Sequence, residues 1–336
     1  MAHHGARTFS YRSGVRVRGT VLACDATAGS DLIFLSHALA LDAHAARMLR
    51  RPRAGRRHIL TTETTLALLG RAGARLRPHA LAPAYGRPFA LGGMRLELFP
   101  SGHLPGAASL LCEVDGRRIV YAGPVGVGPR PAELRRAGVL CVDGRFGQPR
   151  FQFPPYQQAL DDLREHVRAA ASAGRAPGVL ARPPGAALDV AAQLVSAGLT
   201  VRAQRPIIAA AAAYKAAGLP VPPLARFAGR LGAGEALVWT PEHRQAGQLR
   251  ALPNAFILLA SPSAVDRDIV DALRVDAAVP LSAVAGFVDL LAFIDATGAT
   301  EVAIRRATDG QLVQTLAGRG IDAYLVGPPQ QIALFG

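Results

Sequence analysis

His37 opens "SHALALDAHA" (36–45), directly after the apolar run "DLIFL", where a strand could end and deliver metal ligands. A zinc motif would begin this way, because neutral imidazole and carboxylate are the nitrogen and oxygen donors that zinc accepts. The next two positions on the alternation break the pattern. Leu39 and Leu41 stand where a second histidine and an aspartate would be needed, and hydrocarbon has no lone pair to offer. Asp42 and His44 follow, with His103 in "SGHLPG" and Asp143 in "VDGRFG" further along. Other chemistries find less support. No serine lies in a G-x-S-x-G context, and "GVGPRP" (126–131) lacks the GK[ST] ending of a phosphate-cradling loop. Cys24, Cys112 and Cys141 are isolated in apolar surroundings, which favours buried free thiols in a reducing compartment over a zinc knuckle or a disulfide framework.

A second kind of chemistry is phosphate recognition. "RMLRRPRAGRR" carries Arg47, Arg50, Arg51, Arg53, Arg56 and Arg57, and Arg117, Arg118, Arg145 and Arg150 could extend the same patch. The net charge is +14, and Lys215 is the only lysine among 38 basic residues. Guanidinium is planar, keeps its charge and donates bidentate hydrogen bonds to phosphate. GC-rich codon usage also raises arginine, but it does not account for the excess of positive charge. Few aromatics interleave with the arginines, so stacking of single-stranded bases is not strongly indicated.

These residues need a scaffold. With 336 residues, half of them apolar, the chain can bury one large core or two smaller ones. "VRVRGTVLAC" and "DLIFLS" read as strands, and "ETTLALLGRAG" (63–73) has helical spacing. "RPFALGGMRLELFPSG" (87–102) reads as a hairpin, and so does "ASLLCEVDGRRIVYAGP" (108–124), which turns on Asp-Gly. After "RFQFPPYQQ" the texture changes to alternating helix and strand, from "QALDDLREHVRAAASAG" to "PIIAAAAAYKAAG", which favours a parallel sheet. From about 276, "FVDLLAFIDATG", "EVAIRR", "GQLVQTLAGRG" and "AYLVG" continue the alternation. The fold class is α/β. Trp239 is expected to anchor a core or a domain contact. No stretch approaches the roughly 18 apolar residues of a membrane span, and "MAHHGARTFSYRSG" has no signal core, so a soluble, cytoplasmic protein is expected.

Several segments, in order, resemble metallo-β-lactamase-fold nucleases carrying a β-CASP insertion. That family includes bacterial proteins labelled mRNA 3′-end processing factors or ligase-associated DNA exonucleases. The resemblance runs through "LIFLSHALALD", "HILTTETTLALL", "LFPSGHLPGAASLLCEVDGRRIVYAGP" and "VLCVDGRFGQPRFQFPP", then "VRAQRPIIAAAAAYKAAGL", "VPLSAVAGFVDLLAFIDATGATEV" and "QQIALF". It implies an αβ/βα sandwich with an inserted β-CASP-like α/β domain. The boundaries would be 1–155 for the N-terminal part, 156–275 for the insertion and 276–336 for the part that completes the sandwich.

Active members hold two zinc ions that activate water and stabilise the phosphodiester transition state. Matched to their pattern, His37, Asp42, His103 and Asp143 keep donor types. Leu39, Leu41, Pro124 and the pair Ala283–Val284 replace ligands, and the last histidine is lost around Arg306. The dinuclear centre as the family builds it cannot form. The resemblance thus implies a catalytically inactive paralogue with no expected cofactor, binding DNA or RNA or scaffolding an active nuclease paralogue, helicase or ligase. One alternative is a one-zinc phosphodiesterase built on His37, Asp42, His103 and Asp143. Against it, Leu39 and Leu41 would line the pocket with apolar surface. Another alternative is an interaction protein without nucleic-acid binding. At the tail, Gln331, Leu334 and Phe335 of "QIALF" resemble a sliding-clamp docking peptide, or form the closing strand usual in the family.

Overall fold

A computed structural model describes residues 7–28, 30–41 and 58–328. Two compact units emerge, and each is described by itself. The first comprises the chain through Gly126, Arg130–Pro149 and the segment from Ala285 on; the second comprises Val127–Pro129 and Arg150–Val284.

The first unit begins with six short strands: β1 (Phe9–Tyr11), β2 (Val15–Val17), β3 (Leu22–Cys24), β4 (Leu32–Phe34), β5 (His58–Leu60) and β6 (Ala80–Leu81), hydrogen-bonded in that order. The first three are antiparallel, and β3 to β6 run parallel. Between β5 and β6 the expected single helix is two, α1 (Glu63–Leu68) and α2 (Arg71–Leu76). Gly70 breaks it with φ +56, and a Cβ on Gly73 would lie 1.8 Å from the Leu66 carbonyl oxygen, so the second helix folds tightly against the first. Then come β7 (Phe89–Leu91), β8 (Met94–Pro100), β9 (Ala108–Val114), β10 (Arg117–Gly123) and β11 (Val139–Asp143). The β9–β10 turn is Asp115–Gly116, both at positive φ, as a two-residue hairpin turn of this hand requires.

The second unit opens with α3 (Tyr156–Ser172), followed by β12 (Ala176–Leu180), α4 (Gly185–Ser196), β13 (Thr200–Ala203), α5 (Arg205–Ala216), β14 (Ala225–Arg226) and β15 (Glu235–Trp239). It continues with α6 (Gly247–Arg250), β16 (Ala255–Ala260), α7 (Arg267–Leu273) and β17 (Ala277–Val279). Its sheet, β14-β13-β15-β12-β16-β17, is wholly parallel, as the alternation of helix and strand predicts. Trp239 is a core residue of this unit: it meets Phe227 edge to face at 5.8 Å and donates its indole N–H to the His243 carbonyl.

Back in the first unit, α8 (Phe287–Thr297), β18 (Glu301–Arg305), α9 (Gln311–Ala317) and β19 (Asp322–Leu325) complete a seven-stranded sheet, β19-β18-β11-β10-β9-β8-β7. The two sheets of this unit share one core. Phe9, Leu22, Phe34 and Leu60 from the first pack with Leu96, Leu98, Leu110, Ile119 and Tyr121 from the second. All three cysteines are buried and unpaired in that core. On the outer face of the first sheet, Ile33, Leu35 and Ile59 pack under Leu66 of α1 and Leu76 of α2. Glu301 ties the ends of the chain together, accepting from the Thr8 backbone N–H at 2.7 Å and the Tyr324 hydroxyl at 2.8 Å. No helix among the described residues is long and apolar enough to cross a membrane.

Candidate functional site

Parallel strands deliver their carboxyl ends to one edge, and in the first unit that edge collects the polar side chains. Asp25 follows β3, Ser36 and His37 follow β4, Asp143 ends β11, Arg305 ends β18 and Arg306 follows it. His103 arrives on the loop after β8. Gly102 must be glycine there: its φ is +76, and a Cβ would stand 2.2 Å from the Arg130 carbonyl oxygen. Gly126 closes the other side, since its Cβ would meet the Gly102 carbonyl carbon at 2.2 Å. Gly102→Ala is therefore expected to destabilise the protein by roughly 2 kcal/mol or more through left-handed strain and steric displacement. A urea titration would reveal it, together with a shifted His103 imidazole resonance.

Asp25 is the hub of the edge. Its side chain is 2% exposed and its φ of +46 is left-handed. One oxygen accepts from the Ser36 N–H at 2.8 Å. The other accepts from the Ser36 hydroxyl at 2.8 Å, the Tyr121 hydroxyl at 2.7 Å and Arg305 Nη1 at 2.7 Å. Because the Ser36 hydroxyl spends its proton on Asp25, its 2.7 Å contact with His37 Nδ1 requires the imidazole to donate. His37 is thereby fixed as the Nδ1–H tautomer with a lone pair on Nε2. Burial holds its pKa down at about 4; Asp25 opposes this, while Arg305, Arg306 and Arg145 push the same way.

His103 meets His37 edge to face, with ring centroids 4.9 Å apart. Burial, then His37, Arg145, Arg306 and Arg130, lower its pKa to about 3. Its Nδ1 is buried and has no hydrogen-bond partner among the described residues. Beside this neutral pair, the buried Asp143 carboxylate accepts from the Arg145 N–H at 3.0 Å. The guanidiniums of Arg145 and Arg306 stand 3.6 and 3.7 Å from its other oxygen, each about half exposed.

Of the remaining site expectations, one is corrected. Leu39 and Leu41 do not jointly line a pocket: Leu39 is 52% exposed, and Leu41 packs on the opposite face of the first sheet with Ile33 and Leu66. Arg117 and Arg118 are exposed, and the arginines at 47–57 that they were expected to extend lie outside the described residues. Both sit at the start of β10, about 20 Å of strand from its carboxyl end, where they pair with Glu301 and Glu113. Pro124 is buried just past β10. Arg150 and Val284 belong to the second unit, where Arg150 pairs with Asp266 and the Ser282 side chain brackets the Val284 backbone. Asp42, His44, Arg47, Arg50, Arg51, Arg53, Arg56, Arg57, Gln331, Leu334 and Phe335 lie outside the described residues.

Sequence reasoning passed over Asp25, Ser36, Tyr121 and Arg305. The available signal was a carboxylate placed immediately after an apolar strand, in "VLACDATAG". As for metal, no three His, Cys, Asp or Glu side chains are grouped to hold an ion among the described residues. Asp42, the fourth residue of the one-zinc expectation, lies outside the described residues.

The fold and this edge define a mixed α/β protein with a buried carboxylate–arginine–imidazole cluster at the strand ends. No protein-family profile matches the chain. It is 25% identical over 242 residues, 70% of its length, to a probable DNA ligase from Opitutus terrae. It is 30% identical over 101 residues, 29% of its length, to a ribonuclease from Thermus thermophilus. The matched stretches span about a quarter of each relative, 24% and 23%.

Proposed function

We propose that this chain is a metallo-β-lactamase/β-CASP framework that has given up hydrolysis and retains a grip on nucleic-acid phosphate. The observation that carries the reading is the pairing of buried Asp143 with Arg145 and Arg306. In the active pattern this acidic residue faces metal ions; here guanidinium supplies the positive charge. Leucine and proline at Leu39, Leu41 and Pro124 remove further donors. Guanidinium can hold a phosphodiester, but it cannot bind water and lower its pKa as zinc does. The two relatives are named for enzymes of DNA and RNA, and the longer match, to a probable DNA ligase, supports a role beside strand joining in DNA repair. The active-site framework then serves as a binding or scaffolding subunit for a ligase, helicase or active nuclease.

A one-zinc phosphodiesterase is the second reading, favoured by the two adjacent neutral imidazoles. One set of assays separates them. With Zn²⁺ or Mn²⁺ and single- or double-stranded DNA and RNA, no cleavage is expected. Fluorescence anisotropy should show binding that weakens with salt. In Arg145→Gln/Arg306→Gln, affinity should fall about tenfold or more and the salt slope by roughly two. Robust cleavage abolished by His103→Ala would overturn the non-catalytic reading, and binding unchanged in the double variant would overturn the phosphate role.

A further inference from the structure

A cavity of about 320 Å³ in the second unit has no part in the Asp143 cluster. Arg244, Arg250 and Arg274 line it over an apolar floor of Leu249, Leu252 and Ile257, with the Gln245 amide at the rim. It opens at the amino ends of β16 and β17, since Ala255 starts the first and Asp276 precedes the second. We propose that this cavity binds a phosphate monoester with a flat or apolar body, the size of a single nucleotide.

The electrostatics favour an anion. Asp276 is the one carboxylate in the lining, and its oxygens are committed elsewhere: Oδ1 to Arg175 at 2.7 Å, Oδ2 to the Ile257 N–H at 2.7 Å. Among the described residues, the Arg250 and Arg274 guanidiniums meet no carboxylate or hydrogen-bond acceptor. Arg244 is held in place by its Nη2 donating to the Arg274 carbonyl at 2.8 Å, at the left-handed end of α7, while its Nε is buried without an acceptor. Three arginines, one of them anchored, line the cavity against a single carboxylate that Arg175 already pairs, and an excess of guanidinium of this kind suits phosphate oxygens.

Size and floor select the rest of the ligand. The volume lies at the small end of ligand cavities, enough for one nucleotide and too little for a dinucleotide. The leucine and isoleucine side chains offer a face to a base, and the Gln245 amide carries both donor and acceptor for its edge. The phosphate could belong to a free mononucleotide or to the terminal nucleotide of a strand.

Calorimetry on the full chain separates these sources. The probes are AMP, adenosine, and one oligonucleotide with and without a 5′-phosphate. AMP is expected to bind at least tenfold tighter than adenosine. Arg250→Gln/Arg274→Gln should erase that preference while the thermal midpoint stays unchanged, since both side chains lie on the surface. Preference for the phosphorylated oligonucleotide alone, lost in the same variant, assigns the site to strand ends. Equal binding of phosphorylated and unphosphorylated probes, or an unaffected double variant, overturns the proposal. Arg145→Gln/Arg306→Gln leaves the AMP preference intact, so failure here is separable from failure of the Asp143 reading.

Discussion

Asp25→Asn is expected to lower the free energy of unfolding by about 3–5 kcal/mol at neutral pH, the cost of leaving one half of a buried ion pair behind. Four donors converge on this carboxylate: the Ser36 N–H, the Ser36 and Tyr121 hydroxyls and Arg305 Nη1. Asparagine fits the space but turns one acceptor into a donor, so at least one of those groups loses its partner. Arg305 suffers most. Its side chain is only 15% exposed and lies over the Tyr121 ring, so solvent replaces the lost countercharge poorly. Adding Arg305→Gln to Asp25→Asn should recover part of the loss, because the second change removes the stranded charge; that coupling is what a double-mutant cycle measures. Urea titrations of the four proteins provide the test. A loss under about 1 kcal/mol in Asp25→Asn would mean that the network does not hold the sheet edge.

The same network shows where the sequence was legible and where it was not. Local signals resolved well. Asp115–Gly116 between two β-rich runs gave the β9–β10 hairpin, and helical spacing after Tyr156 gave α3. Expectations that depended on a side chain's direction did worse. A one-residue count through "SHALALD" cannot say that Leu41 turns toward α1 while Leu39 faces solvent, because the short helical turn Ala38–Ala40 replaces the strand alternation there. Long-range partners were illegible. Arg305 lies 280 residues from Asp25 and is one basic residue in a chain with 38, so nothing local distinguishes it from a solvated surface charge. The resemblance to nucleases singled out His37, His103 and Asp143, and the structure brings all three to one edge. What it could not supply was the identity of the groups that now neutralise Asp143.

That identity sets the chemistry. A metal ion beside a carboxylate binds phosphate and generates hydroxide; a guanidinium does only the first. In the proposed reading the two imidazoles hold no ion, and burial keeps both of them neutral at pH 7. Their neutrality becomes a matter of stability, with a sign that can be worked out.

His37 and His103 have folded pKa values of about 4 and about 3, against an ordinary histidine near 6.5. For a base whose folded pKa is depressed, the unfolded chain takes up the proton first. Between pH 6.5 and 4 the unfolded state therefore binds more protons than the native one, and stability falls with falling pH. Each unit of difference is worth about 1.4 kcal/mol, so His37, almost fully buried, can contribute about 3 kcal/mol. His103 is partly exposed and adds less. Burial sets these values first; Asp25, Arg305, Arg306 and Arg145 then act on His37, and His37, Arg145, Arg306 and Arg130 on His103. Denaturant midpoints should stay level above pH 7 and begin to drop near 6.5, well before unfolded carboxylates take up protons near pH 4. His37→Asn keeps a donor toward the Ser36 hydroxyl without a titrating ring. It should cost about 1 kcal/mol at pH 7 and shrink the acid-side loss by more than half. A chelator should move neither curve, whereas a zinc-bound pair would lose stability on chelation even at pH 8. A profile flat from pH 7 to 4.5, or one that shifts on chelation, would show that the imidazoles are not the buried neutral pair described above.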